Sequence, residues 1–320
     1  MKSKNSRLLY LRIFISTALF LMLCFFMRGR FDELLDTIRS VNSGLFLLAL
    51  TVGICVLVIN AFRLKCLFEI QEIYFSGFES IKLAFLGIFF NNFMPSTIGG
   101  DVIKLYYAKK RAKNFIEPFS SIMMDRILGL TALTILGGLA LLFKGELITN
   151  SAAKLIIMTF VLIVSGIYSL IFFKGLTSAI ISLCQMFKLV KFEHWIVKLI
   201  DTISRFSKST KTLNAFFYGF IGQVMIIFCV YLLSRSLSLN IPIATFYVLI
   251  PVIQIVSILP SINGLGVREG AFVYFFKDLM APEYAVALAI LYLGLMIPIS
   301  MVGGVIYMFY GKINKEEVAL

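Results

Sequence analysis

Apolar residues run along this chain in long unbroken blocks, with little of the alternation that marks a half-buried strand. Six blocks, at 8–27, 41–62, 122–143, 155–173, 215–233 and 284–310, are long enough to cross the ~30 Å hydrocarbon core of a bilayer as helices of ~20 residues. Two more, 81–94 and 243–259, are shorter and run into Pro95-Ser96-Thr97-Ile98-Gly99-Gly100-Asp101 and Pro260-Ser261-Ile262-Asn263-Gly264-Leu265-Gly266. Proline and glycine break a helix at those points. The first block is too long for a removable signal peptide and has no small-residue cleavage site, so it reads as a retained helix.

Composition agrees with the pattern. Hydrophobic residues make up 60% of the 320 positions, and the mean hydropathy is +0.95. A soluble fold has too little polar surface to cover such a chain. The expectation is an all-α membrane protein with a single polytopic domain over residues 1–320, its halves at about 1–150 and about 151–320. The five cysteines are odd in number and form no CxxC pair, which argues against disulfides and a metal site.

Charge sets the topology. If both short blocks crossed the membrane, the basic run Lys104, Lys109, Lys110, Arg111 and Lys113 would face outward, against the positive-inside rule. If each instead enters, breaks and returns to its own side, twenty of the thirty lysines and arginines fall in the cytoplasm and seven outside. The sequence therefore predicts six spanning helices and two re-entrant hairpins, with both termini on the cytoplasmic side of the inner membrane. The net charge of +13 then reflects basic loops facing anionic lipid headgroups, with no nucleic acid implied.

The two breaks resemble each other. Pro95 matches Pro260, Ser96 Ser261, Gly99 Gly264 and Val102 Val267, all 165 residues apart. In the topology above, one hairpin enters from each side, which is an inverted repeat of the kind that builds transporter sites near the midplane. Ionisable residues, expensive inside a bilayer, gather at these breaks. Asp101 and Lys104 follow the first, Arg268 and Glu269 follow the second, Asp125 and Arg126 open the next long helix, and Arg63 ends the helix of Asn60. One reading is a polar cavity in which Arg63, Arg126 and Arg268 attract a phosphate, with Asp101, Asp125 and Glu269 as alternate partners or proton carriers. The other is that Asp125/Arg126 and Arg268/Glu269 are structural ion pairs. Asn91 and Asn92 are placed to satisfy backbone groups freed by the break.

The run Asn91-Asn92-Phe93-Met94-Pro95-Ser96-Thr97-Ile98-Gly99-Gly100-Asp101, then Met124-Asp125-Arg126, then Leu259-Pro260-Ser261 with Gly264-Leu265-Gly266-Val267-Arg268-Glu269, resembles the lysylphosphatidylglycerol synthase transmembrane family of flippase-like membrane proteins. The resemblance covers roughly residues 8–310. It implies movement of a lipid between leaflets, with the two re-entrant motifs and Asp125-Arg126 facing the headgroup. The chain stops ten residues after Tyr310, without the soluble aminoacyl-transfer domain that some members carry, so lipid synthesis is not expected.

Nothing in the sequence points to a cofactor. His194 has no partner for a metal, and no phosphate-binding loop of the Walker type is present. Phe192, Trp195, Ile196, Leu199, Ile203 and Phe206 recur at helical spacing within a basic segment, about 186–213, predicting an amphipathic helix on anionic headgroups or a docking surface for a cytoplasmic partner. The expected function is a flippase for an anionic, aminoacylated or polyprenyl-phosphate-linked lipid. Two alternatives stay open: a membrane glycosyltransferase using a polyprenyl-phosphate sugar, and a non-catalytic subunit of an envelope-lipid complex. For the former, Asp32, Glu33 and Asp36 read better as the wet face of a short helix whose Phe31, Leu34, Leu35 and Ile38 are apolar. Gly137-Gly138 and Gly303-Gly304 permit close helix packing, within one chain or in a homo-oligomer.

Overall fold

The computed structural model describes residues 31–93, 99–144, 151–172, 202, 205–258 and 266–309. The described residues are helical and include no strand. In chain order the helices are α1 (Phe31–Arg39), α2 (Ser43–Ile70), α3 (Gly77–Phe93), α4 (Gly99–Lys109), α5 (Ile116–Lys144), α6 (Ser151–Phe172), α7 (Thr210–Ser236), α8 (Ile243–Val256), α9 (Val267–Phe276) and α10 (Pro282–Phe309). Four helices, α2, α5, α7 and α10, are long and apolar enough to cross a membrane. At 27–29 residues each, they reach about 40 Å, beyond the ~30 Å hydrocarbon core. The block at 155–173 falls on α6, and that at 8–27 lies outside the described residues.

Two boundaries differ from the hydropathy reading. Helix α2 continues eight residues past Phe62, and α5 begins six residues before Ile122. Local bonding explains both extensions. The Asn114 side chain accepts from the N–H groups of Ile116 and Glu117 and so starts α5 early, with Pro118 tolerated in the first turn. In α2, Arg63 keeps its place because a carboxylate meets it, so a charge no longer marks the helix end. Arg63, Asp125 and Arg126 consequently lie inside helices and not at their ends.

Helices α2 and α7 pack antiparallel through the centre. Cys229 Sγ donates to the Ala49 carbonyl at 3.3 Å, while farther along Gly222 and Gly219 face Asn60 and Arg63. The same local structure ends both helices. The N–H groups of Gln71 and Ile73 bond the Phe68 carbonyl, and those of Leu237 and Leu239 bond the Ser234 carbonyl. Glu72 and Ser238, 166 residues apart, take the same left-handed φ of 60° and 61°, a helix-terminating conformation that non-glycine residues adopt rarely.

Helices α3 and α4 form a tight antiparallel pair, with Gly100 against the Gly87 carbonyl and the Asn91 Oδ1 accepting from Gly100 N–H at 2.7 Å. Helices α8 and α9 form a second pair, closed by the Phe246–Phe276 ring contact at 5.4 Å. Each short pair leans on a long helix from the other half of the chain. A Cβ on Gly303 of α10 would collide with the Phe85 carbonyl of α3, and one on Gly137 of α5 would sit 3.5 Å from Pro251 of α8. Both glycines thus serve packing within this chain.

Large apolar side chains cover the outside, among them Leu47, Leu142, Phe143, Leu162, Met308 and Phe309. Basic residues converge at one end. There Arg111 bonds Glu79 at 2.5 Å, Lys113 pairs with Glu72, and Lys211 bonds Glu69 at 2.5 Å. Phe206 packs among Leu67, Met124, Leu128 and Ala215, so it belongs to the core and not to a headgroup-facing surface. The remaining apolar positions of that expected amphipathic helix, and His194, lie outside the described residues. The short helix α1 is present; among its described side chains Asp32 and Asp36 are exposed as expected, Leu35 is exposed as well, Thr37 is buried and Ile38 packs on the core.

Candidate functional site

Two polar groups lie within this helical frame. The first joins α2, α4 and α5. Arg63 donates through Nε to Asp125 Oδ1 at 2.6 Å and through Nη2 to Asp125 Oδ2 at 3.0 Å. Gly129 and Gly219 make room for the guanidinium, each with its Cβ position 3.4 Å from Nη1. One residue on, Arg126 bonds Asp101 at 2.5 Å, and Lys104 stands 3.7 Å from the same carboxylate. Asp125 and Arg126 therefore pair with different helices and not with each other, as expected for adjacent residues that project about 100° apart. This group holds three cations and two carboxylates.

The second group surrounds Tyr292. A cavity of about 540 Å³ lies between α3, α9 and α10, lined among the described residues by the polar side chains Asn91, Asn92, Arg268, Tyr292 and Ser300. Its volume falls within the ~300–1,000 Å³ usual for small-molecule sites. Ile88, Leu293, Met296, Ile297 and Met301 also line it, and Ile297 and Met301 are exposed, which gives it an apolar rim. Two smaller cavities adjoin it, of about 150 Å³ beside Gln254 and Arg268 and about 190 Å³ beside Asn60 and Cys229. Tyr292 lines all three.

Arg268 is held differently from Arg63. Its guanidinium lies 5.4 Å over the Tyr292 ring and its Nη2 is 3.6 Å from Glu269 Oε1. Its Nε and Nη2 are buried and make no hydrogen bond within the chain. Glu269 turns its other oxygen back to accept from Gly266 N–H at 2.7 Å, which caps α9. Gly266 holds a φ of 79°, a backbone state that side chains resist.

Of the residues singled out from sequence, the structure brings Asn91, Asn92 and Arg268 to the large cavity. Arg63, Asp101, Asp125 and Arg126 form the separate ion-pair group, Gly99 and Gly100 start α4, and Glu269 and Gly266 start α9. Pro95, Ser96, Pro260, Ser261 and Gly264 lie outside the described residues. Sequence reasoning passed over Tyr292, Ser300 and Gln254. Their signal was faint: isolated polar groups inside apolar blocks, with no motif around them.

A family model described as lysylphosphatidylglycerol synthase TM region matches residues 10–303. The chain belongs to that family. It is a multi-pass membrane protein built of apolar helices. Comparison with curated proteins and with solved structures returned no match.

Proposed function

We propose that this protein translocates a lipid with a phosphate headgroup between the leaflets of a cytoplasmic membrane. The observation that carries the proposal is Arg268: an arginine that lines a cavity whose rim is apolar. A guanidinium attracts a phosphate, and the apolar rim lets acyl chains stay in the bilayer while the headgroup enters. Membership of a family named for lysylphosphatidylglycerol synthase supports a lipid as the cargo, whether anionic, aminoacylated or polyprenyl-phosphate-linked.

The two short helix pairs read as re-entrant hairpins of an inverted repeat. Their support is the antiparallel α2–α7 packing, the matching helix ends at Glu72 and Ser238, and the contacts Gly303–Phe85 and Gly137–Pro251, which interchange under a shift of 166 residues. Placing the basic end in the cytoplasm follows the positive-inside rule. Such halves can exchange conformations and so expose one cavity to each leaflet in turn.

The test is leaflet-resolved transport in proteoliposomes, with fluorescent lipids scored by an impermeant quencher, for the wild type and Arg268→Ala. Movement of one lipid that the variant loses is expected. Equal movement in the variant would remove Arg268 from the site. Movement of no lipid would favour a subunit of an envelope-lipid complex.

A further inference from the structure

Among the described residues, Tyr292 lines all three cavities, of about 540, 190 and 150 Å³. Other shared positions border two at a time. Ile88 and Met296 border the large cavity and the one beside Cys229, Arg268 the large cavity and the one beside Gln254, and Ile226 the two small ones. The ring therefore stands where the three meet, near the middle of α10. Protein interiors are close-packed, so open space on three sides gives this ring somewhere to go. A tyrosine in a helix has two accessible χ1 wells. The Arg268 guanidinium, 5.4 Å from the ring centroid, restrains it weakly, near the ~6 Å limit of a cation–π contact.

The space behind the ring leads to polar groups. Asn60 lines the cavity beside Cys229 and stands one turn before Arg63 on α2, whose guanidinium Asp125 holds. That cavity therefore runs from Tyr292 toward the ion-pair group. Arg63 and Arg126 also stand 166 positions before Cys229 and Tyr292. On the inverted-repeat reading these are the same place in the two halves, occupied in the first by the paired side chains of Arg63 and Arg126 and open in the second. A headgroup passing from one half to the other crosses at Tyr292.

We infer that Tyr292 is a movable gate between the large cavity and the chamber beside Asn60 and Cys229. With the ring as it stands here, Cys229 is 2% exposed. Swung aside, the ring joins that chamber to the large cavity. The part this gate plays in lipid movement rests on the translocator reading; the gate itself does not.

Cys229 reports the gate. The experiment uses purified protein with Cys24, Cys55, Cys66 and Cys184 replaced by serine and a small charged methanethiosulfonate. With Tyr292 in place, Cys229 should label slowly but completely as the ring swings aside, and roughly tenfold faster in Tyr292→Ala. Tyr292→Phe, which keeps the ring, should label at the rate of the protein with Tyr292. Leu67→Ala, a core truncation in a different cluster, should lower the unfolding temperature and leave Cys229 slow. Unchanged labelling in Tyr292→Ala, no labelling at all with Tyr292 in place, or the Ala rate in the Phe variant would each overturn the inference. Labelling as fast in Leu67→Ala would overturn it too, because lost stability alone would then open the chamber. Lipid movement in proteoliposomes is scored separately. Tyr292→Trp, which fills the space the ring needs, should slow it roughly tenfold, with Tyr292→Phe unchanged. Movement at the wild-type rate in the Trp variant would remove the gate from the route. If the wild type moves no lipid, the translocator reading fails, and Cys229 labelling still upholds or overturns the gate.

Discussion

Arg63 and Asp125, 62 positions apart, meet through two parallel hydrogen bonds of 2.6 and 3.0 Å, each side chain only 11% exposed. Gly129, one turn on from Asp125 in α5, and Gly219 of α7 surround the guanidinium. Removing one partner of such a buried pair strands the other charge, at about 3–5 kcal/mol. Asp125→Asn should therefore lower the unfolding temperature in detergent sharply. Replacing both partners, as in Arg63→Met with Asp125→Leu, should recover most of that loss. A double variant no more stable than the single one would mean that the pair does more than neutralise itself.

The two glycine pairs make opposite forecasts, at Gly303 of α10 and Gly138 of α5. A methyl group on Gly303 collides with the Phe85 backbone, so Gly303→Ala should destabilise by about 1–3 kcal/mol through overpacking. A Cβ on Gly138 meets nothing within 4 Å. Gly138→Ala should then be neutral or stabilising by up to ~1 kcal/mol, the helix-propensity gain. Thermal unfolding of the two variants side by side checks the register of α10 against α3.

Glu79 supplies a pH forecast at the basic end. The Arg111 guanidinium, helped by the Ser76 N–H, holds its carboxyl down at about 2, from an ordinary 4.5. A carboxylate with a lowered folded-state pKa contributes fully above its unfolded value and loses that contribution as pH falls through the folded one. The stability difference between wild type and Glu79→Gln should be constant from neutral pH to about 5, and shrink between about 4.5 and 2. A difference independent of pH across that window would mean the Arg111 contact contributes nothing.

The two hairpins are held unequally. Helices α3 and α4 are tied at their open end by Arg111–Glu79 and Lys113–Glu72, and near the break by Asn91 and Gly100. At the positions 166 residues on from Glu72, Glu79, Arg111 and Lys113 stand Ser238, Thr245, Lys277 and Leu279, which form no such ties by charge. Cavities and unbonded polar atoms gather instead at α8, α9 and α10. Amide hydrogen exchange should be faster across 243–276 than across 77–109. The reverse order would identify the first hairpin as the moving part.

Much of this was legible in the residues themselves. Long apolar blocks determine membrane helices because a bilayer leaves the backbone no other partner for its N–H and C=O groups. The Pro-Ser and Gly-rich runs marked where two of those helices stop, and the quoted motifs pointed to the family. Charge bias marked one end of the molecule, where the basic segments do come together. These are local properties, set by how each stretch meets its solvent.

Partnership was decided elsewhere. No sequence spacing tells that Asp125 turns to Arg63 and leaves Arg126 to Asp101, because a helix sends adjacent side chains in different directions and only packing supplies what they meet. The same holds for the site. Tyr292 and Ser300 are two polar positions in an apolar helix until α10 crosses α3 and α9, and the crossing alone puts them on one cavity with Arg268. The sequence determined which stretches enter the membrane, through the cost of exposing backbone and charge to lipid. The tertiary structure decided which charges meet, Arg63 with Asp125 and Arg126 with Asp101, and brought Arg268 to the wall of a cavity.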